Sequence, residues 1–363
     1  MTPINLIRFK ADSPRLNLAI TNDPGFRIRR HKMNVLFLVP RIDKASTRYR
    51  VLQYLPFLET KGIGYSIKEL SKKKRHWLHL ARDIHEADVV FIQKKLFSFI
   101  EISFIRRIAH RIIFDLDDAI MFKDAPGNRL AQRRQSKRFA SMARHADLII
   151  CGNRYLQEKT SKHSSDIRIL PTPIDMHRYM VKDPTRNQGT PFTIGWIGSK
   201  VTLKYLKDIS PALSALAKRH PEIQLKIVAD DFFDVEGMQV IKQPWSEERE
   251  IEDLHSFDVG IMPLTDDPWA RGKCGFKLLQ CMAVGVPVIC SPVGMNRDIV
   301  TDGVDGFWAS SQKEWTEKLS AIIEDRELRD TMAKRGRKKV EDTYSLAIHA
   351  KQMIRHLKEA GQP

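Results

Sequence analysis

From residue 33 onward, short apolar runs alternate with longer stretches whose apolar residues recur every three or four positions. MNVLFLV (33–39), GYSIKEL (64–70), DVVFIQ (88–93), RIIFDL (111–116) and DLIICG (147–152) read as strands, the first and fourth of them buried. Between them VLQYLPFLETKG (51–62), KKKRHWLHLARDIHEA (72–87), LFSFIEISFIRRIAHR (96–111) and NRLAQRRQSKRFASMARHA (128–146) have helical spacing. Strand alternating with helix predicts an α/β domain with a parallel, doubly wound sheet.

VKDPTRNQGTP (181–191) breaks the pattern with two prolines and a glycine, as a linker would. The alternation then restarts. FTIGWIG (192–198), IQLKIVA (223–229), MQVIKQ (238–243), DVGIMPL (258–264) and VPVICS (286–291) are the next strands. VTLKYLKDISPALSALAKRH (201–220), SEEREIEDLHSF (246–257) and GFKLLQCMAVG (275–285) are helices, and 314–344 holds one or two more. The expected organisation is a poorly ordered extension (1–32), a first domain (33–180), the linker (181–191), a second domain (192–345), and a helix (346–363) packing back on the first domain.

Charge separates the two halves. Residues 1–180 hold 35 Lys and Arg against 17 Asp and Glu, whereas 181–363 hold 26 against 27, so the whole net charge of +17 comes from the first half. A one-sided excess implies that this half meets something anionic. The basic stretches lack interleaved aromatics and any nucleic-acid reader motif, so no nucleic acid is expected as partner. No apolar run reaches the roughly 18 residues of a membrane span. The four cysteines, Cys151, Cys274, Cys281 and Cys290, have no zinc-ligand spacing and fit a reducing cytoplasm.

Two stretches carry candidate chemistry. In FDLDDAI (114–120), Asp115, Asp117 and Asp118 end a strand, the edge at which parallel sheets bind ligands. A strand followed by Asp-x-Asp resembles the opening of haloacid dehalogenase-like phosphatases. However, Ala119 stands where that family has Thr or Val, and no late Gly-Asp pair for a magnesium ion follows. Such carboxylates can also hold a divalent metal or cap a helix. The second stretch is KCGFKLLQCMAVGVPVICSPVGMNRDIVTDGVDGFW (273–308), with Gly275, Met282-Ala283, Gly285, Pro287-Val288, Gly294, Gly303 and Gly306. A glycine turn opening a helix presents unpaired amides and about half a unit of positive charge, which suits a diphosphate.

That linked spacing resembles the nucleotide-sugar-binding half of GT-B glycosyltransferases, in particular family four and the related family one. The resemblance covers about 33–345 and implies two Rossmann-like domains facing across a cleft. It implies a glycosyltransferase (a hexosyltransferase), retaining and metal-independent, with no cofactor and a UDP- or GDP-sugar as donor. The acceptor would be a glycan or lipid-linked molecule in cell-surface polysaccharide or lipopolysaccharide synthesis. The enzyme would be cytoplasmic and peripheral at the inner membrane face, where 96–111 and 129–139 are the candidate contacts with anionic lipid. Donor diphosphate binding falls on Gly198, Ser199, Lys200, Thr202, Lys273, Cys274, Gly275, Phe276 and Lys277, and nucleoside binding on Gln280 and Trp245. Acceptor binding falls on Ser46, Arg48 and Arg50, and catalysis on Asp115, Asp117 and Asp118, with no metal ligands. The family's two glutamates, eight apart, are here Gly272 and Gln280. Their absence leaves an inactive binding protein of the same fold as an alternative, beside the phosphatase.

Overall fold

The structure, a computed structural model, describes residues 7–8, 19–20, 33–70, 76–122, 129–183 and 191–362. The expected extension 1–32 and most of the expected linker lie outside these residues, apart from a short antiparallel pair, Ile7–Arg8 with Ala19–Ile20. The first sheet comprises β1 (Met33–Val39), β2 (Ile63–Glu69), β3 (Val89–Gln93), β4 (Arg111–Leu116), β5 (Leu148–Cys151) and β6 (Ile167–Ile169). The second comprises β7 (Thr193–Ile197), β8 (Gln224–Ala229), β9 (Gln239–Pro244), β10 (Val259–Met262), β11 (Val288–Cys290) and β12 (Phe307–Trp308). Both are parallel throughout, in the orders β2-β1-β3-β4-β5-β6 and β9-β8-β7-β10-β11-β12. The expected fold class, two doubly wound α/β domains, is what forms.

The helices of the first domain are α1 (Ala45–Arg50), α2 (Leu55–Thr60), α3 (His76–Glu86), α4 (Phe99–Ile108), α5 (Arg129–His145) and α6 (Arg154–Thr160). Those of the second are α7 (Leu203–Asp208), α8 (Ser210–Arg219), α9 (Glu250–His255), α10 (Pro268–Arg271), α11 (Phe276–Ala283), α12 (Asn296–Ile299), α13 (Gln312–Glu324) and α14 (Arg326–Lys339), and α15 (Leu346–Gly361) ends the chain. The apolar stretch 201–220 is not one helix. Pro211 lacks the amide that would continue α7, so the chain restarts as α8 with proline in its first turn.

Strand alternation divides the first core. Phe114 and Leu116 face one apolar cluster with α3, α4 and α5, while Ile113 faces the other with α2 and α15. The chain crosses between domains twice, and the crossings hold each other. Ile174 N–H donates to Tyr344 O at 2.9 Å and Leu346 N–H to Ile174 O at 2.8 Å. Beyond this point α15 lies on the first sheet, burying Leu346, Ala350, Met353 and Leu357.

Two histidines of α15 give the fold a pH dependence. His349 and His356 are buried, and neither Nδ1 makes a hydrogen bond among the described residues, although that of His356 lies 3.8 Å from Glu359 Oε2. Burial lowers both pKa values below the ordinary 6.5. The unfolded chain therefore takes up protons first, so stability is complete above about pH 6.5 and falls as pH drops toward the folded-state values. The melting temperature should fall between pH 7.5 and 5.5, and the fall should shrink when both residues are glutamine.

Candidate functional site

The two domains meet along the carboxyl ends of their strands, and both candidate stretches lie there. α10 is capped by Asp267, whose carboxylate accepts from the amides of Trp269 and Ala270 at 2.8 Å. The chain then turns through Gly272, Lys273 and Cys274 to Gly275, which takes φ +61° and starts α11. That left-handed conformation is why glycine stands here. The amides of Gly275, Phe276 and Lys277 have no acceptor among the described residues. They are the free donors of a helix start.

Across the boundary sits the loop after β4. The Cys274 thiol donates to Asp117 O at 3.0 Å, and Asn153 Nδ2 donates to the carbonyls of Gly272 and Lys273 at 3.1 Å. Burial beside Asp117 keeps the Cys274 pKa well above the usual thiol value, so the group stays a donor. Two glycines allow this closeness. A Cβ on Gly272 would lie 2.3 Å from Ala119 Cβ, and one on Gly152 would lie 2.3 Å from Cys274 Sγ. Phe276 packs on Tyr49, with ring centroids 4.2 Å apart.

The three aspartates separate. Asp117 and Asp118 flank Lys94, whose Nζ lies 2.9 Å from Asp117 Oδ1 and 2.5 Å from Asp118 Oδ2. Burial works against the Lys94 charge, but the two carboxylates outweigh it and hold its pKa above the ordinary lysine value. Asp115 is not with them. It is fully buried and paired with the equally buried Arg50. Arg50 also donates to Leu170 O at 2.7 Å. The expectation that Asp115 is catalytic and Arg50 binds acceptor is corrected by this pair: alternation along β4 turns Asp115 under α1, away from the cleft. The phosphatase reading loses its nucleophile for the same reason.

A second polar cluster lies beside α11. Glu250 is 1% exposed. Its Oε1 accepts from Tyr49 OH at 2.8 Å and Tyr179 OH at 2.7 Å, and its Oε2 from Trp245 Nε1 at 3.1 Å. Arg48 approaches it at 3.6 Å and also pairs with Glu247. Burial acts to raise the Glu250 pKa, but Lys277 and Arg48 with the two hydroxyls hold it below the ordinary carboxylate value. Gln280 is fully buried, with Nε2 donating to Tyr179 OH at 2.8 Å and Oε1 accepting from Lys277 Nζ at 3.1 Å.

The structure thus brings Trp245 and Gln280, expected at the nucleoside, into one cluster with Arg48, expected at the acceptor; sequence reasoning missed Glu250, Tyr49, Tyr179 and Lys94. Arg48 is corrected from an open acceptor residue to a buried bridge between domains. The Lys277 ammonium is drawn into the cluster, where burial lowers its pKa, while its amide stays among the free donors of the α11 turn. The Ser46 carbonyl accepts from Gln93 Nε2 at 2.8 Å. The side chains of Cys274 and Phe276 are taken by the first domain, so only their amides face the turn. Lys273 is half-buried, its Nζ 5.8 Å from the Trp269 ring centroid.

The expected second phosphate turn differs. Gly198 N–H donates to Val228 O at 3.0 Å, Ser199 N–H to Thr202 Oγ1 at 3.1 Å, and Lys200 N–H to Asp230 Oδ1. Lys200 Nζ lies 3.3 Å from Asp231. Its amides are already satisfied, so α11 holds the free ones.

Residues 181–339 match the family model described as glycosyl transferases group 1. The matched residues are those of the second domain, α11 and its glycine turn included. A curated relative, the capsular polysaccharide biosynthesis glycosyltransferase CapM of Staphylococcus aureus, is 25% identical over 170 residues, 43% of this chain and 43% of its own length. The match therefore spans less than half of that relative. Solved structures align over nearly the whole chain. Sucrose-phosphate synthase from Thermosynechococcus elongatus has a TM-score of 0.68 at 14% identity, covering 90% of this chain and 99% of its own. Anabaena Alr3699/HepE in complex with UDP-glucose has a TM-score of 0.68 at 15% identity, covering 90% and 100%. The fold is GT-B.

Proposed function

We propose that this GT-B protein transfers a hexose from a nucleoside-diphosphate sugar, UDP- or GDP-linked, to a glycan or lipid-linked acceptor in cell-surface polysaccharide synthesis. The observation that carries the reading is the free amide group at the start of α11, held at the domain boundary opposite Asp117 and Asp118. Amides there suit the pyrophosphate, and Lys273 adds a charge-assisted hydrogen bond. The main catalytic task is to stabilise charge on the departing diphosphate. Helix amides and Lys273 supply that stabilisation from the chain itself, which favours a metal-independent reaction. Asp117 or Asp118, released from Lys94 when substrates enter, would bind the acceptor hydroxyl or take its proton. Retention of anomeric configuration follows the family resemblance. HepE, solved with UDP-glucose, and CapM, named for capsular polysaccharide synthesis, support the donor class and the pathway class.

Thermal shift against UDP-, GDP-, ADP- and CMP-sugars should select one nucleotide, with the shift unchanged by EDTA. Lys273→Ala should weaken that donor by roughly ten- to a hundredfold in calorimetry. Donor binding without transfer or hydrolysis would favour the inactive alternative. No shift with any nucleotide sugar would remove the proposal.

A further inference from the structure

Among the described residues, the first domain exposes large apolar side chains on α4 and α5. α4 places Phe99, Ile100 and Phe104 on one side, with exposures of 67%, 80% and 44%, while Ile102 and Ile105 fill the core from the other. The helix is firmly held. Ser98 and Glu101 form a capping box at its start, and Arg106 near its end pairs with Asp147 and donates to the carbonyls of Ala109 and His110. It presents the apolar face rather than fraying.

α5 lies alongside. Ser103 Oγ is 3.3 Å from His145 Nε2, and Phe99 meets the His145 ring edge-on. On the outer side of α5 Arg133, Arg134, Lys137 and Arg138 are exposed, and none has an ion-pair partner among the described residues. Leu130, 73% exposed, stands on the same side. Several large apolar side chains beside unpaired cations of one sign form a surface of mixed character.

We propose that the outer face of α4 and α5 docks on an anionic lipid bilayer. A second copy of the chain would bring like charge onto like charge. A nucleic acid or a soluble acidic glycan would use the cations and leave the apolar side chains in water. A bilayer interface takes both, with headgroup phosphates meeting the cations and acyl chains receiving Phe99 and Ile100. The position suits the sugar-transfer reading, on which the purpose of docking rests. β3 leads through Lys94 directly to Ser98, so α4 starts at the cleft end of the first domain. Docking there brings the cleft mouth to a lipid-linked acceptor.

Vesicle flotation of the full chain tests this, with phosphatidylcholine alone and with added phosphatidylglycerol, at low and high salt. The protein should float only with anionic vesicles, and less at high salt. Arg133→Gln/Arg134→Gln/Lys137→Gln should weaken binding by roughly a hundredfold. Phe99→Ser/Ile100→Ser should weaken it by about tenfold or more at both salts. The nucleotide-sugar thermal shift should persist in both variants, which shows that they fold and separates this test from the donor reading. Failure of the wild-type chain to bind anionic vesicles at low salt overturns the proposal. So does wild-type affinity in the Phe99/Ile100 variant, or binding to heparin or RNA that exceeds vesicle binding.

Discussion

Gly272→Val is expected to lower sugar transfer by about a hundredfold while leaving nucleotide affinity within a few-fold. The reason is where the side chain would go. A Cβ at 272 would meet Ala119 Cβ at 2.3 Å, Ala119 N at 2.8 Å and Ala119 Cα at 3.0 Å. Two of these are backbone atoms of the other domain and cannot rotate aside. The domains must part by an ångström or more, which separates the α11 amides from Asp117 and Asp118. Displacements of that size cost about a hundredfold in rate when reacting groups must be held together. The donor amides belong to the second domain alone and do not change. Gly152→Ala gives a milder version that can be reversed. Its methyl would press on Cys274 Sγ, so adding Cys274→Ala should restore part of the lost rate. Transfer assays beside calorimetry with the selected nucleotide decide the matter. Full activity of Gly272→Val would mean that the reaction does not pass through the closed arrangement.

The same contacts explain what was legible in the sequence. The strands were readable because parallel sheets covered on both faces need nearly continuous apolar runs, and MNVLFLV and DVVFIQ are such runs. The α11 turn was readable because glycine spacing and helix periodicity are local. Glu250 was not. Its first partner, Tyr49, is 201 residues away, and SEEREIEDL offers several carboxylates with nothing to choose between them. The place of the Lys277 ammonium was hidden for a related reason: a lysine in the first turn of a helix opened by glycine looks free until Glu250 and Gln280 appear beside it. Asp115 was misread because three neighbouring carboxylates looked like one cluster. Only the last two lie beyond the end of β4, where the chain leaves the sheet.

Arg50→Met is expected to destabilise the first domain by about 3–5 kcal/mol, and to lower its melting temperature by roughly 10 °C. Arg50 and Asp115 are both fully buried, and Arg50 Nε donates to Asp115 Oδ2 at 3.1 Å while a second guanidinium nitrogen pairs with Oδ1. Desolvating two charges is expensive, and their attraction does little more than offset it. Removing one partner leaves a carboxylate in an apolar layer with nothing to compensate it, and that is the large cost. Removing both should be far milder, so Arg50→Met/Asp115→Leu should recover more than half of the lost stability in urea unfolding. Asp115→Asn keeps the shape and loses the charge. If Asp115 is structural, this variant melts lower but retains transfer in proportion to its folded fraction. If instead it melts as the wild type does and has no transfer, Asp115 takes part in the chemistry, and its burial beneath α1 must be relieved during turnover.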